Sequence, residues 1–517
     1  MMIYQIYKII RIIFFALFIC ISFYSIKFYE GSVAVYITYC LSLILMLFYL
    51  TDKKASYFEI FFSVYLFLGF WFKYVFSLLL YDGIVYDSHI ETIPMKNIDE
   101  VLILGIWISL ICVLSSFIFR KFKKKYQFHN KTNLEKSFFT DLYLKNRMTV
   151  LIIFLILIFL LAFFNLNLGI HQRGFLYYHE LPWIITNLVK WFLLFGFTTF
   201  SCFIIHVEIT NLKKINIFTI LIILLEVFSS YTSMLSRSFI INSSSLMLPI
   251  YQQSTKLLKK YDTKLIILFV VILFLTLVSV FAANHIRIAK LENFKVEYKE
   301  FSKKKLDKLS DKDLALEKKL LNYNFEIPKK EIKKDLKVKE NLSNKVLIKL
   351  TAREIIKFII INRWTGIDSL ILVSSSENKG YDLFFRALKE KKDYVEHTFY
   401  EKEFGLIVRK TNAETGKTIM KGNTLPGVIS FLYYTGSPIF LLLSIMIIFF
   451  SFNFLENFLK YLTNNNLVFI CFISHMIATR LFHFGYAPKD SYMFLISIVL
   501  SISFLSILMR FKSRFSR

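Results

Sequence analysis

RMTVLIIFLILIFLLAFFNLNL, residues 147–168, runs directly into GIHQRGFLYYHELP, residues 169–182. The first stretch is charged only at its first residue. At 1.5 Å per residue it is long enough to cross about 30 Å of hydrocarbon. The second puts His171, Arg173, Gly174, two tyrosines, His179 and Glu180 into one short turn before Pro182 opens another apolar run. A membrane span that ends in such a turn sets the terms for the whole chain. The question is which side of the membrane the turn faces.

Apolar runs of the same kind recur along the 517 residues, of which 56% are hydrophobic and 20% charged, with a mean hydropathy of +0.54. The pattern predicts an all-α polytopic membrane protein of twelve transmembrane helices, at 9–27, 31–50, 57–81, 98–119, 149–167, 182–207, 215–232, 238–252, 264–282, 427–452, 464–483 and 490–509. The first run, IIRIIFFALFICISFYSI, has no small-residue cleavage site after it and reads as a retained span. The eighth, SFIINSSSLMLPIYQ, is short and rich in Ser and Asn, as for a helix that is broken or packed inside the bundle. Three parts follow: spans 1–9 in residues 1–282, a large loop in 283–426, and spans 10–12 in 427–517. No repeat of fixed period is present.

Lysine and arginine in short loops set the orientation. With the N-terminus inside, the inner segments, from MMIYQIYKIIR to RFKSRFSR, hold 24 Lys and Arg. The outer turns hold six: Lys27, Lys96, Arg173, Arg237, Arg480 and Lys489. Both termini are therefore expected in the cytoplasm, and the loop between spans 9 and 10 outside. The first half of that loop, residues 290–350, holds 18 Lys and 11 Asp and Glu and reads as solvated helices. Residues 353–410 carry apolar residues at helical spacing, interrupted at Thr365–Gly366, and predict a small helical cap over the outer face.

The formal net charge of +27 does not mark a nucleic-acid binder. The basic residues lie at helix ends and in the lysine-rich loop, and no nucleic-acid motif accompanies them. All five cysteines lie in apolar runs, which excludes a disulfide framework or a Cys-x-x-Cys metal site. Walker, Rossmann, Gly-x-Ser-x-Gly and His-Glu-x-x-His motifs are missing too. With no nucleotide site, energy for chemistry has to arrive with an activated substrate at the outer face.

Arginine recurs on that outer face, against the positive-inside trend: Arg173, Arg237, Arg287, Arg363 and Arg480. Its planar, permanently charged fork matches phosphate oxygens. Each arginine taken singly also reads as snorkelling to headgroups; as a set they point to an anionic ligand. Within the spans, Lys73, Lys190 and Glu226 lie roughly 9–12 Å below the outer boundary. A charge there costs around 2.5–3.5 kcal/mol unless it is paired or faces a polar cavity. Lys190 with Glu226 reads equally as a structural pair or as catalytic, and either way an outward-opening polar cavity is expected.

Twelve spans, a large outer loop between the ninth and tenth, and arginines in outer turns resemble the Wzy-type O-antigen polymerases, also called oligosaccharide repeat-unit polymerases. Local stretches resemble the family as well: HQRG at 171–174, SRSF at 236–239, INRWTGIDSL at 361–370 and LPGVISFLYYTGS at 425–437. The resemblance implies a GT-C-like fold in the bacterial inner membrane, working on its periplasmic face. The substrates would be oligosaccharide repeat units on undecaprenyl diphosphate. It implies neither a metal nor another cofactor, and a chain-length regulator as partner. Charge builds on the departing diphosphate, so fixed guanidinium groups stabilise the transition state. Arg173, Arg237 and Arg363 are the candidates for that role, with Arg287 next. His171, His285 and Glu180 are candidate bases. Lys73, Lys190 and Arg480 line the expected binding region, where Tyr433 and Tyr434 offer faces for sugar stacking. An interfacial aromatic belt is the plainer reading of the two tyrosines.

Two alternatives share parts of this pattern. An O-antigen ligase, passing glycan to lipid A-core, shares topology and donor, but the loop's HIRI and HTFY match its histidine motif poorly. A lipid-linked oligosaccharide flippase predicts pseudo-symmetric halves, and none is visible.

Overall fold

The computed structural model describes residues 2–80, 98–123, 137–173, 181–212, 216–236, 238–257, 270–287, 289, 364–390, 399–404, 409–411, 418–421, 425–485 and 488–510. The lysine-rich half of the large loop lies outside these residues.

Apolar helices dominate. In chain order they are α1 (Met2–Ser25), α2 (Val33–Leu50), α3 (Tyr57–Leu80), α4 (Ile98–Lys123), the short α5 (Phe138–Lys145), α6 (Arg147–Leu168), α7 (Trp183–Leu212), α8 (Ile217–Ser233), α9 (Phe239–Leu257) and α10 (Val270–Arg287). The large loop supplies α11 (Ile367–Ser375), α12 (Tyr381–Leu388), α13 (Phe399–Glu403) and a two-stranded ladder of β1 (Arg409–Thr411) and β2 (Thr418–Lys421). Then follow α14 (Gly427–Leu432), α15 (Pro438–Leu462), α16 (Leu467–Phe482) and α17 (Pro488–Arg510). Among the described residues nine helices are long and apolar enough to cross a membrane; α8, α9 up to Ile250, and α16 are shorter apolar helices. The chain is a polytopic α-helical membrane protein.

One expected boundary moves. The predicted span at 427–452 divides, because Gly436 takes a left-handed φ of 69° and breaks the helix. A new helix then starts cleanly, with Ser437 accepting from the Phe440 amide at 3.3 Å and Pro438 in its first turn.

Burial sorts the helices. α16 is buried around most of its circumference, between α3, α9, α7 and α14, as its unbroken apolar sequence requires. Much of α1 and α6 remains exposed apolar surface, the surface a bilayer would cover.

At the end where α1 begins and α17 finishes, three buried carboxylates each hold a cation. Arg120 reaches Glu59 at 2.9 Å, Arg147 reaches Glu208 at 2.5 Å and Lys460 reaches Glu456 at 2.9 Å. Each acid also ties helices together. Glu59 closes a capping box with Ser56 at the start of α3. Glu456 accepts from the Phe58 amide at 3.0 Å. Glu208 accepts from Tyr143 at 2.6 Å and Thr219 at 2.8 Å; burial first, and then this carboxylate, push the Tyr143 phenol up.

At the opposite end the large loop enters the bundle. The segment 364–366 lies against the middle of α3, where Phe67–Phe72 widens into a π turn. Gly69 and Gly366 meet back to back: a Cβ on Gly69 would stand 2.3 Å from the Thr365 carbonyl oxygen, and one on Gly366 2.3 Å from the Gly69 oxygen. α11 then runs with every residue from Ile367 to Ser374 buried. Within the expected cap, α11 is set into the bundle instead of lying over the outer face. Lys73 closes the junction, its Nζ 2.6 Å from Asp368 Oδ2, both side chains buried.

Replacing Lys73 with Met leaves the Asp368 carboxylate buried without its cation, at a cost of about 3–5 kcal/mol. The double variant K73M/D368L recovers most of that loss, as measured by thermal unfolding in detergent. Equal instability of the single and double variants contradicts the pairing.

Candidate functional site

The polar turn that follows α6 is built by one side chain. Asn165, fully buried in the last turn of α6, accepts from the His171 amide at 2.7 Å. Its Nδ2 donates to the His171 carbonyl at 3.1 Å and to the Ser233 carbonyl at 3.0 Å. Gly169, left-handed at φ 62°, ends the helix with its amide on the Asn165 carbonyl, and Gln172 donates to the carbonyls of Asn165 and Leu166. The chain is thus folded back onto the end of α8.

There the turn joins a second one. The Arg173 amide donates to the Met234 carbonyl at 2.9 Å. Beyond α8 the chain turns through Leu235, left-handed at φ 52°, and the Ser236 amide donates to the Tyr231 carbonyl at 2.8 Å. Arg287, at the end of α10, bonds both turns with one Nη2, reaching the Arg173 carbonyl at 2.9 Å and the Leu235 carbonyl at 2.7 Å. His171–Arg173 and Met234–Ser236, distant in sequence, are thereby joined.

Arg173 itself is exposed. Its Nη1 donates to Ser238 Oγ at 3.2 Å. Its guanidinium is close enough to the buried phenols of Tyr65 and Tyr231 to act on them electrostatically. Tyr65 is the link to the inserted loop. Its hydroxyl bonds Thr479 Oγ1 at 2.7 Å and His475 Nε2 at 3.1 Å, and its ring lies 6.4 Å from that of Trp364. The stretches WTGIDSL and LPGVISFLYYTGS also meet. α11 packs on α14, and the Gly427 amide, with φ 70°, donates to the Phe484 carbonyl at 2.9 Å just beyond α16.

Several expected roles change. Lys73 does not face an open cavity; its ammonium is held by Asp368, so it positions the loop and does not present a charge to a ligand. Glu226 does not pair with Lys190, which is half-buried on α7; its Oε1 accepts from Thr198 and Ser230. Arg287 is committed to backbone carbonyls and shapes the site. Tyr434 is 1% exposed within a cluster of Phe399, Phe404 and Phe431, and Tyr433 is buried with the Lys379 ammonium over its ring, so neither offers a sugar a face. Their burial follows from the Gly436 break, which turns this segment inward. Arg480 lies over the Phe494 ring, and His285 is exposed near the end of α10. His171 is half-buried, with its backbone held by Asn165. Arg237, Arg363 and Glu180 lie outside the described residues.

Sequence reasoning missed Asn165, Asp368 and the Tyr65–His475–Thr479 group. The signal for the first two was present: an amide in the last turn of a span, and an acid in an otherwise apolar helix that faces a buried lysine. Among the described residues no group of three or more His, Cys, Asp or Glu side chains is placed to hold a metal ion.

Comparison of the chain with family models, with curated proteins and with solved structures gives no match.

Asn165→Leu removes the bonds that sew the two turns together and leaves buried backbone groups unpaired, at about 1–3 kcal/mol for each group. Hydrogen exchange is expected to quicken at residues 169–173 and 233–236 and to stay unchanged in α16. Unchanged exchange in both turns refutes the role given to Asn165.

Proposed function

We propose that this protein polymerises oligosaccharide repeat units carried on undecaprenyl diphosphate, at the periplasmic face of a bacterial inner membrane. In this reading the nine long helices and three shorter ones make twelve spans of a GT-C-like membrane enzyme, with both termini cytoplasmic. The product is O-antigen or a related surface polysaccharide, and a chain-length regulator is the expected partner. The observation that carries the reading is the exposed Arg173 guanidinium. It stands where the turn at His171–Arg173 is joined to Met234, Leu235 and Ser238, and its charge reaches Tyr65, whose ring meets that of the inserted Trp364.

The chemistry follows from charge. A hydroxyl oxygen of the acceptor sugar bonds to the anomeric carbon of the donor. The carbon–oxygen bond to the diphosphate breaks, and the electron pair leaves with the diphosphate. Arg173 receives that developing charge. Its backbone is held at both the amide and the carbonyl, and its side chain leans on Ser238, so little reorganisation accompanies the reaction. Arg237 and Arg363 are the further candidates for that role. The acceptor proton passes to a base, for which His171, His285 and Glu180 are the candidates. Lys73 and Asp368 act through the position of Trp364.

Arg173→Ala is expected to slow transfer about 10²–10³-fold, the loss typical of a fixed donor to a developing oxyanion. Gels of surface polysaccharide then show single repeat units in place of a ladder of chain lengths, as they do when the gene is deleted. Arg173→Lys keeps the charge, loses the fork and restores only short chains. A normal ladder in Arg173→Ala sinks the proposal, and loss of all surface sugar, single units included, points to a ligase or flippase.

A further inference from the structure

Five carboxylates are buried among the described residues: Glu59, Glu208, Glu226, Asp368 and Glu456. Four of them hold a lysine or arginine within ion-pair distance. Glu226 is the exception. It is fully buried near the middle of α8, about 10 Å from the end of that helix. Its surroundings are hydroxyl groups. Thr198 Oγ1 lies 3.3 Å and Ser230 Oγ 3.4 Å from Oε1, and the Ser201 hydroxyl of α7 stands close by without a hydrogen bond. The Oε2 atom is buried with no hydrogen-bond partner, as are the hydroxyls of Ser201 and Ser229.

An unbalanced carboxylate at such a depth is costly even on the most lenient insertion scale. Hydroxyl-to-carboxylate hydrogen bonds prefer about 2.5–3.0 Å; these two are longer and leave Oε2 unmet, so the hydroxyls alone do not balance the charge. We infer that Glu226 and the hydroxyls of Thr198, Ser201 and Ser230 form a binding site for one small hard cation, a proton or Na⁺, inside the bundle.

Few other charges compete for the site. The titratable groups near enough to act on Glu226 are the Cys202 thiol of α7 and the Tyr231 phenol of its own helix. His206, further along α7, is buried beside neither of its bonded hydroxyls. α6 brings only Arg147, which is held at Glu208, and Phe239–Ile250 of α9 contains no titratable residue. The donor set is all oxygen with a single negative charge, which suits a monovalent hard cation and excludes the nitrogen and sulfur ligation of zinc. Occupancy neutralises Glu226 between α7 and α8. Seven residues further along α8, Ser233 and Met234 hold the turn that carries Arg173, so the site stiffens the helix on which that turn rests. The inference does not rest on the proposed function.

The test uses the purified full-length chain in detergent and the hydrophobic carbodiimide dicyclohexylcarbodiimide, which adds to protonated carboxyls in apolar surroundings. Adducts are located by peptide mass spectrometry. Glu226 is expected to be labelled, while Glu59, Glu208 and Glu456, each paired with a cation, are not. Labelling that falls about tenfold when Na⁺ replaces choline at fixed pH assigns the site to Na⁺. Labelling that ignores Na⁺ but falls as pH rises assigns it to a proton. The isosteric Glu226→Gln loses the adduct, and its thermal midpoint no longer responds to whichever cation protects the parent. No adduct at Glu226 at any pH, or labelling indifferent to both pH and Na⁺, overturns the inference.

Discussion

An ammonium group and a carboxylate, buried together between α3 and α11, determine where the large loop enters the bundle. Lys73 and Asp368 are each unfavourable in that setting alone. Together they are tolerable, and only in one register, because the Gly69–Gly366 contact leaves no room for a side chain on either backbone. The rest of the loop end is arranged around that junction. Trp364 is brought to Tyr65, Tyr65 to His475 and Thr479, and α14 to α11.

Buried charge is paired at both ends of the bundle. Where the chain termini lie, Glu59, Glu208 and Glu456 each meet a cation, and their spare oxygens take up amide and hydroxyl groups of neighbouring helices. Those pairs close the bundle and leave little charge for anything else. At the loop end Lys73 is likewise held by Asp368, and Arg386 by Asp382 and Glu403. Arg287 bonds backbone carbonyls there, and the exposed Arg173 bonds a serine hydroxyl, which is where the anion-binding reading attaches.

Much of the helical architecture was legible because membrane spans impose long apolar runs, and those runs are local. The expected spans coincide with helices to within a few residues for 33–50, 98–123, 147–168 and 217–233. Local chemistry that breaks a run was harder to read: the residues at 427–435 are as apolar as a span, and only the left-handed Gly436 separates them from α15. The site was legible in part. Arg173 was identified from its place after a span, but its partners were not, because Ser238, Met234 and Arg287 belong to other helices and no local rule connects them.

By itself the sequence determined that this is a polytopic α-helical membrane protein, that one turn after a span concentrates arginine and histidine, and that Lys73 and Glu226 sit too deep to be ordinary surface charges. Only the tertiary structure decided which of these charges are paired. It gave Lys73 to Asp368, separated Glu226 from Lys190, turned Tyr434 inward and brought Arg173 to Met234 and Ser238. The reason is physical. Hydrophobic periodicity is written residue by residue along the chain, whereas the partner of a buried polar group is whatever the packing of distant helices brings within about 3 Å.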